Sequence, residues 1–140
     1  EIRRVKIAFC DALTSGLFKN MLKECINGYS SKVCMFHTIA ATSDYTEILK
    51  VNPKLLAKYD VNSVEVIYET ASSMLENTMA DIVVVLSGTF EKPYIAIGDN
   101  TAIHLYKFSF NHTHSLISNI MIQTAIFKLI KKLKKNYGLF

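Results

Sequence analysis

Five consecutive aliphatic residues, Ile82-Val83-Val84-Val85-Leu86, constrain this chain more than any other feature. An extended backbone sends alternate side chains to opposite faces, so a strand with no polar alternation must be covered on both sides. The run has the length of a strand and falls far below the roughly 20 residues of a membrane span. It therefore belongs at the centre of a sheet between two helical layers. Hydrophobic residues make up 50% of the 140 and are spread evenly, without repeat or low-complexity tract, which fits one domain, residues 1–140, with a full core.

Periodicity and punctuation supply the other elements. Residues 4–9 predict a first strand, flanked by Arg3, Arg4 and Lys6 and ending at Cys10-Asp11. Leu17, Phe18, Met21, Leu22 and Cys25 recur at helical spacing, predicting a helix from about Ser15 to Ile26 that stops at Asn27-Gly28. Residues 33–41 predict a second strand, Ser43-Asp44 caps a short helix through Leu49, and Asn52-Pro53 opens another. Asn62 and Glu65 have capping-box form ahead of a helix that buries Val66, Ala71, Met74 and Leu75 and reaches about Thr78. Beyond the central strand, residues 94–98 and 102–109 predict two strands joined at the hairpin signal Gly98-Asp99-Asn100. A long last helix carries Leu116, Ile117, Ile120, Met121, Ala125, Leu129, Ile130 and Leu133 on one face. The fold class that follows is α/β: a three-layer α/β/α sandwich on a mixed sheet of about five strands.

The net charge of +4 is concentrated in Lys128, Lys131, Lys132, Lys134 and Lys135, which read as a solvated helix end complementing exposed carbonyls. Arginines and interleaved aromatics are missing from that block, so neither nucleic acid nor membrane is an expected partner. Cys10, Cys25 and Cys34 are odd in number and lack a close pairing, which points to reduced thiols, a cytoplasmic setting and no zinc site. His104, His112 and His114 lie close in sequence without a nearby carboxylate to complete a metal set, and His112-Thr113-His114 reads as a strand end or helix entry. No metal and no cofactor are expected. No leader pattern opens the chain, and the absent initiator methionine implies a trimmed or processed start.

Sites in α/β sheets lie beyond the carboxyl ends of strands, where loops turn into helices. Two loops qualify, Cys10–Gly16 and Ser87–Pro93, and they form the two walls of the candidate site. Amides at a helix start lack intrahelical partners and carry partial positive charge, so the first loop is suited to a phosphate, carboxylate or oxyanion. Asp11, Thr14, Ser15, Gly16, Ser87, Gly88 and Lys92 are the candidate substrate-binding residues. Asp99 reads as a tight turn and Asp81 as the polar residue preceding the buried strand.

At these residues the chain resembles the C-terminal domain of the CinA (competence-damage-inducible) family, which acts as nicotinamide-nucleotide amidase. The family's first loop, approximately A-E-S-x-T-G-G, is met by Cys10-Asp11-Ala12-Leu13-Thr14-Ser15-Gly16. Its later A-D-x-x-x-x-x-[ST]-G-I-A-G-P, glycine-rich insert and E-K-P are met by Ala80-Asp81, Ser87-Gly88-Thr89-Phe90 and then directly Glu91-Lys92-Pro93. Ser63, Glu65, Val66, Glu69 and Ala71 resemble its S-x-E-V-x-x-E-x-A helix. The resemblance runs from about Val5 to the final helix and implies a fold, a pyridine-nucleotide or other small phosphate ligand, and self-association into a homo-oligomer.

The departures fall on the chemistry. Ala12 stands at the family's presumed nucleophilic serine. The family's T-Y-[ST]-N-x-x-K-x-x-L-L-G-V is matched at its end by Ile48-Leu49-Lys50-Val51, which without a gap brings Ala40 to the tyrosine position and Tyr45 to the lysine position. The glycine-rich insert is deleted between Phe90 and Glu91. Amide hydrolysis by a covalent route needs a nucleophile, a proton acceptor and oxyanion donors, and of these only the donors are expected to survive, so no catalytic residue is assigned. Ser15 reads as a helix cap before it reads as a substitute nucleophile, and Cys10 would serve only if the helix start lowered its pKa. The resemblance therefore implies an impaired amidase that retains ligand binding. Its alternatives are an amidohydrolase with relocated machinery at Ser15 or Cys10, helped by Lys92 or Tyr45, and a non-catalytic interaction module.

Overall fold

The computed structural model describes residues 5–26 and 28–138. Arg3, Arg4 and Asn27, used above to bound the first strand and helix, lie outside the described residues. The chain runs β1 (Ile7–Asp11), α1 (Leu17–Cys25), α2 (Tyr29–Lys32), β2 (Val33–Thr38), α3 (Asp44–Glu47), α4 (Pro53–Lys58), α5 (Val64–Asn77), β3 (Ile82–Gly88), β4 (Pro93–Gly98), β5 (Ile103–Lys107) and α6 (His114–Tyr137). The strands form one five-stranded sheet in the order β2-β1-β3-β4-β5. β1 is parallel to β2 and β3, whereas β3–β4 and β4–β5 are antiparallel, giving the expected mixed sheet.

Two cores sandwich that sheet, one on each face. Ile7, Phe9, Ile82, Val84, Leu86, Ile95 and Ile97 pack with residues of α1 and α6, including Phe18, Leu22, Met121 and Leu129. Ala8, Cys10, Val83, Val85 and Ala96 pack on the other side with Tyr45, Leu49, Val66, Ile67, Ala71 and Met74. No residue of Ile82–Leu86 is more than 1% exposed, as the absence of polar alternation requires. Phe9, Phe18 and Phe36 interlock with ring centroids 5.4–5.5 Å apart and fasten β1, α1 and β2 together.

Several boundaries differ from expectation for local reasons. α2 is a single turn entered through Gly28 at φ 73, too short and polar to show a hydrophobic period. β2 ends at Thr38 rather than at residue 41, because the Asp44 carboxylate draws the amides of Ala40 and Ala41 into a turn, each at 3.0 Å. Helix α5 is capped by Ser63, whose hydroxyl accepts from Val66 N at 3.2 Å, and not by Asn62. In α6 Leu116 is 45% exposed, while Ile122 and Ile126 join the core because the helix is sunk deeper than one stripe. His112-Thr113-His114 is a helix entry, with Thr113 Oγ1 accepting from Leu116 N at 3.3 Å.

Candidate functional site

The two loops expected to form a site are neighbours. β1 and β3 pair in parallel through Asp11 and Leu86, and Ala12 N donates to Leu86 O at 2.8 Å just beyond. The second loop is shorter than its sequence suggests: β3 persists through Gly88, which pairs with Pro93 across the hairpin. Ser87 and Gly88 therefore stand on the strand, and residues 89–92 make the turn, closed by Lys92 N donating to Thr89 Oγ1 at 3.2 Å. Gly88 has φ 91, and a side chain there would meet Lys92 O at 2.5 Å, so the tight reversal requires glycine.

Asp11 organises the first loop from beneath. Its side chain is fully buried and its carboxylate accepts from the amides of Leu13 (3.0 Å), Thr14 (2.7 Å) and Gly16 (3.1 Å), and from the Thr14 hydroxyl. Thr14 Oγ1 in turn accepts from Phe18 N at 3.1 Å, which makes Thr14 the side chain that satisfies the start of α1. Ser15 does not cap that helix. The N-cap is Gly16, which lacks a side chain to cap with, and Ser15 is exposed with φ 55. The amides of Thr14 and Gly16, expected to receive a ligand's anion, are thus turned onto the chain's own carboxylate.

Strand alternation then divides the candidate residues. Asp11 follows Ile7 and Phe9 on the α1 face, whereas Cys10 and Ser87 fall with Ala8 and Val85 on the α5 face. Ala12 packs against the core on that second face, where Tyr45 and Tyr94 also sit. Ser87 is 2% exposed, and its hydroxyl has no hydrogen-bond partner among the described residues. Burial raises the Tyr45 phenol above its ordinary value, while the neighbouring Ser87 hydroxyl pulls it the other way without meeting hydrogen-bond geometry. Burial, reinforced by the Asp11 charge, drives the Cys10 thiol so far upward that it stays protonated at neutral pH. Such a thiol is inert as a nucleophile, and no helix-start effect offsets the burial.

Asp99 and Asp81 have structural partners. Asp99 Oδ1 accepts from Thr101 N and Ala102 N in the β4–β5 turn, at 2.8 and 3.1 Å. Asp81 Oδ2 accepts from Lys6 N at 2.9 Å, anchoring the entry to β3 beside β1. Among the described residues no three of His, Cys, Asp and Glu converge to hold a metal ion.

The mixed sheet, its two helical layers and the loops that leave β1 and β3 define an α/β domain of the competence-damage-inducible type. The model of the CinA C-terminal domain matches residues 2–133, and the chain belongs to that family. Solved structures agree in fold. A competence damage-inducible protein A (ComA) from Klebsiella pneumoniae superposes with TM-score 0.81 at 16% identity, covering 92% of this chain and 86% of that one. A CinA superfamily protein from Klebsiella pneumoniae 700603 gives 0.82 at 15% identity, covering 94% and 88%. The competence/damage inducible protein CihA from Agrobacterium tumefaciens gives 0.81 at 17% identity, covering 91% and 84%. No curated protein matches the chain.

Among the described residues, the two non-glycine residues with positive φ are Ser15, at φ 55, and Lys50, at φ 59. By the resemblance given above, both fall at motif positions written as glycine, the residue that adopts this conformation without strain. Tyr45, at the lysine position of the resemblance, lies in the core beside Ser87, a proximity that sequence spacing alone does not reveal.

Proposed function

We propose that this domain is a CinA-family member that no longer hydrolyses the carboxamide of nicotinamide mononucleotide and keeps a ligand-binding crevice over Ala12. The observation that carries this reading is the methyl group at position 12, beside a protonated, buried Cys10 and an unpaired Ser87 hydroxyl. Amide hydrolysis by an acyl-enzyme route needs an activated nucleophile at that point, and alanine supplies none. Asp11, Thr14 and Gly16 act as positioning residues, holding the loop through the carboxylate network. Ser15, Ser87, Gly88 and Lys92 contact the ligand, a pyridine nucleotide or similar phosphate compound. The buried Ser87 hydroxyl lacks a partner and gains one from a bound polar group. The three free cysteines fit a cytoplasmic setting, and self-association is proposed from the family resemblance.

A second reading keeps the enzyme. Ser15 is exposed on left-handed backbone between a strand and a helix, comparable to the strained strand-to-helix turn that presents the nucleophilic oxygen of α/β-hydrolase enzymes. Ammonia release from nicotinamide mononucleotide by the native chain and by Ser15→Ala separates the two. Equal release at the buffer rate, with calorimetric binding that weakens in Lys92→Gln, is the result expected. Release above that rate that disappears in Ser15→Ala selects the second reading, and absence of heat at millimolar nucleotide removes the crevice from the first.

A further inference from the structure

The lysines of the last helix face a cavity. A groove of about 710 Å³ lies between the C-terminal half of α6 and the β4–β5 hairpin, at the opposite end of the sheet from Asp11 and Gly88. Its volume is that of a small-molecule site. Lys128, Lys131, Lys132, Lys134 and Lys135 line it against a single carboxylate, Asp99. The helix macrodipole accounts for Lys134 and Lys135 in the last turn, but its effect fades upstream and leaves Lys128 and Lys131 unexplained. Spacings of three and four residues along Lys128, Lys131, Lys132 and Lys135 also set like charges side by side, which destabilises a helix unless an anion compensates.

Two of these ammonium groups are held in place. Lys132 Nζ is 3.0 Å from Asp99 Oδ2, and Lys128 Nζ sits 3.7 Å from the centroid of the Tyr106 ring on β5. The aromatic partner missing from the lysine block in sequence is therefore supplied from another element. Phe127, 62% exposed, adds an apolar ring to the same wall, with Lys131 Nζ 5.6 Å from its centroid. Fixed cations beside an open aromatic face suit a ligand that is polyanionic at one end and planar at the other.

We infer that this groove binds a nucleoside polyphosphate, with the phosphates along Lys128, Lys131 and Lys135 and the base against Phe127. The site is separate from the Ala12 crevice and does not depend on the reading given for it. Calorimetry of the full chain at about 50 mM salt, where surface charge is only partly screened, tests it with ATP, inorganic tripolyphosphate and adenosine. ATP is expected to bind more tightly than tripolyphosphate, and adenosine most weakly. The double variant Lys128→Gln/Lys131→Gln lowers ATP affinity by about tenfold or more, whereas Lys54→Gln/Lys58→Gln, which removes the same charge from α4, changes it less than about twofold. Phe127→Ala weakens ATP and leaves tripolyphosphate unchanged. No ATP binding, equal weakening by the two lysine pairs, or equal affinity for ATP and tripolyphosphate overturns the inference. Circular dichroism of each variant confirms that loss of binding is not loss of fold.

Discussion

Substituting Asp11 tests whether the first loop is held by its internal carboxylate. The side chain is fully buried and receives three amides and one hydroxyl. A hydrogen bond to a charged group contributes about 1.5–3 kcal/mol net, and a buried donor left unpaired costs about 1–3 kcal/mol. Asp11→Asn keeps one acceptor oxygen for the amides of Leu13 and Thr14 but points an NH2 group at Gly16 N and the Thr14 hydroxyl. The hydroxyl can turn to accept, whereas the Gly16 amide cannot. The expected loss is about 2–3 kcal/mol, from one missing bond and from charge assistance removed from the others. Asp11→Ala abandons all four donors and should lose about 4 kcal/mol, with water recovering part of the Gly16 amide. Thr14→Val strands Phe18 N and should lose about 1–2 kcal/mol. Urea unfolding, monitored by circular dichroism with unchanged m-values, gives all three. An Asp11→Asn midpoint shift equivalent to less than about 0.5 kcal/mol, or Thr14→Val exceeding Asp11→Ala, refutes the carboxylate as the organiser of the loop.

Lys50→Gly should stabilise the domain by about 0.5 kcal/mol in the same assay, because relief of φ 59 outweighs the greater chain entropy of unfolded glycine. Gly88→Ala should destabilise it by about 2–4 kcal/mol, since the new methyl meets Lys92 O at 2.5 Å on backbone already at φ 91. With iodoacetamide at pH 8 followed by peptide mass mapping, Cys25 should label first and Cys34, whose thiol burial raises, more slowly; Cys10 should label only on unfolding. Burial alone would raise the Asp99 carboxyl, but Lys132 and the amides of Thr101 and Ala102 outweigh it and hold it below 3.8. Its contribution is therefore present above that value and fades as pH falls through the lower folded value, and Lys132→Met should flatten this limb of a stability–pH profile.

Legibility in the sequence tracked how many residues cooperate in each signal. The sheet and its two layers were readable because Ile82–Leu86 and the stripes of α1, α5 and α6 repeat one message over many positions. Single-residue signals fared worse. Asn62 and Ser63 both have capping side chains, and which one caps depends on where the backbone leaves the extended region, which composition does not encode. The reach of β3 to Gly88 was hidden because Ser87 and Gly88 look like loop residues until Pro93 and Tyr94 pair with them. At the site, sequence located the two neighbouring loops. It did not show that Asp11 and Ser87 address opposite faces, nor that Asp11 consumes the amides expected to be free. The basic groove was invisible because its floor, Tyr106 and Asp99, comes from a distant hairpin.

Nicotinamide mononucleotide incubated with a molar excess of the native protein, followed by proton NMR of the pyridine ring, reports cleavage of the carboxamide without dependence on multiple turnovers. The ring resonances are expected to remain those of the amide, with conversion no faster than in buffer. Stoichiometric appearance of the carboxylate resonances, proportional to protein, would contradict the proposed loss of hydrolysis.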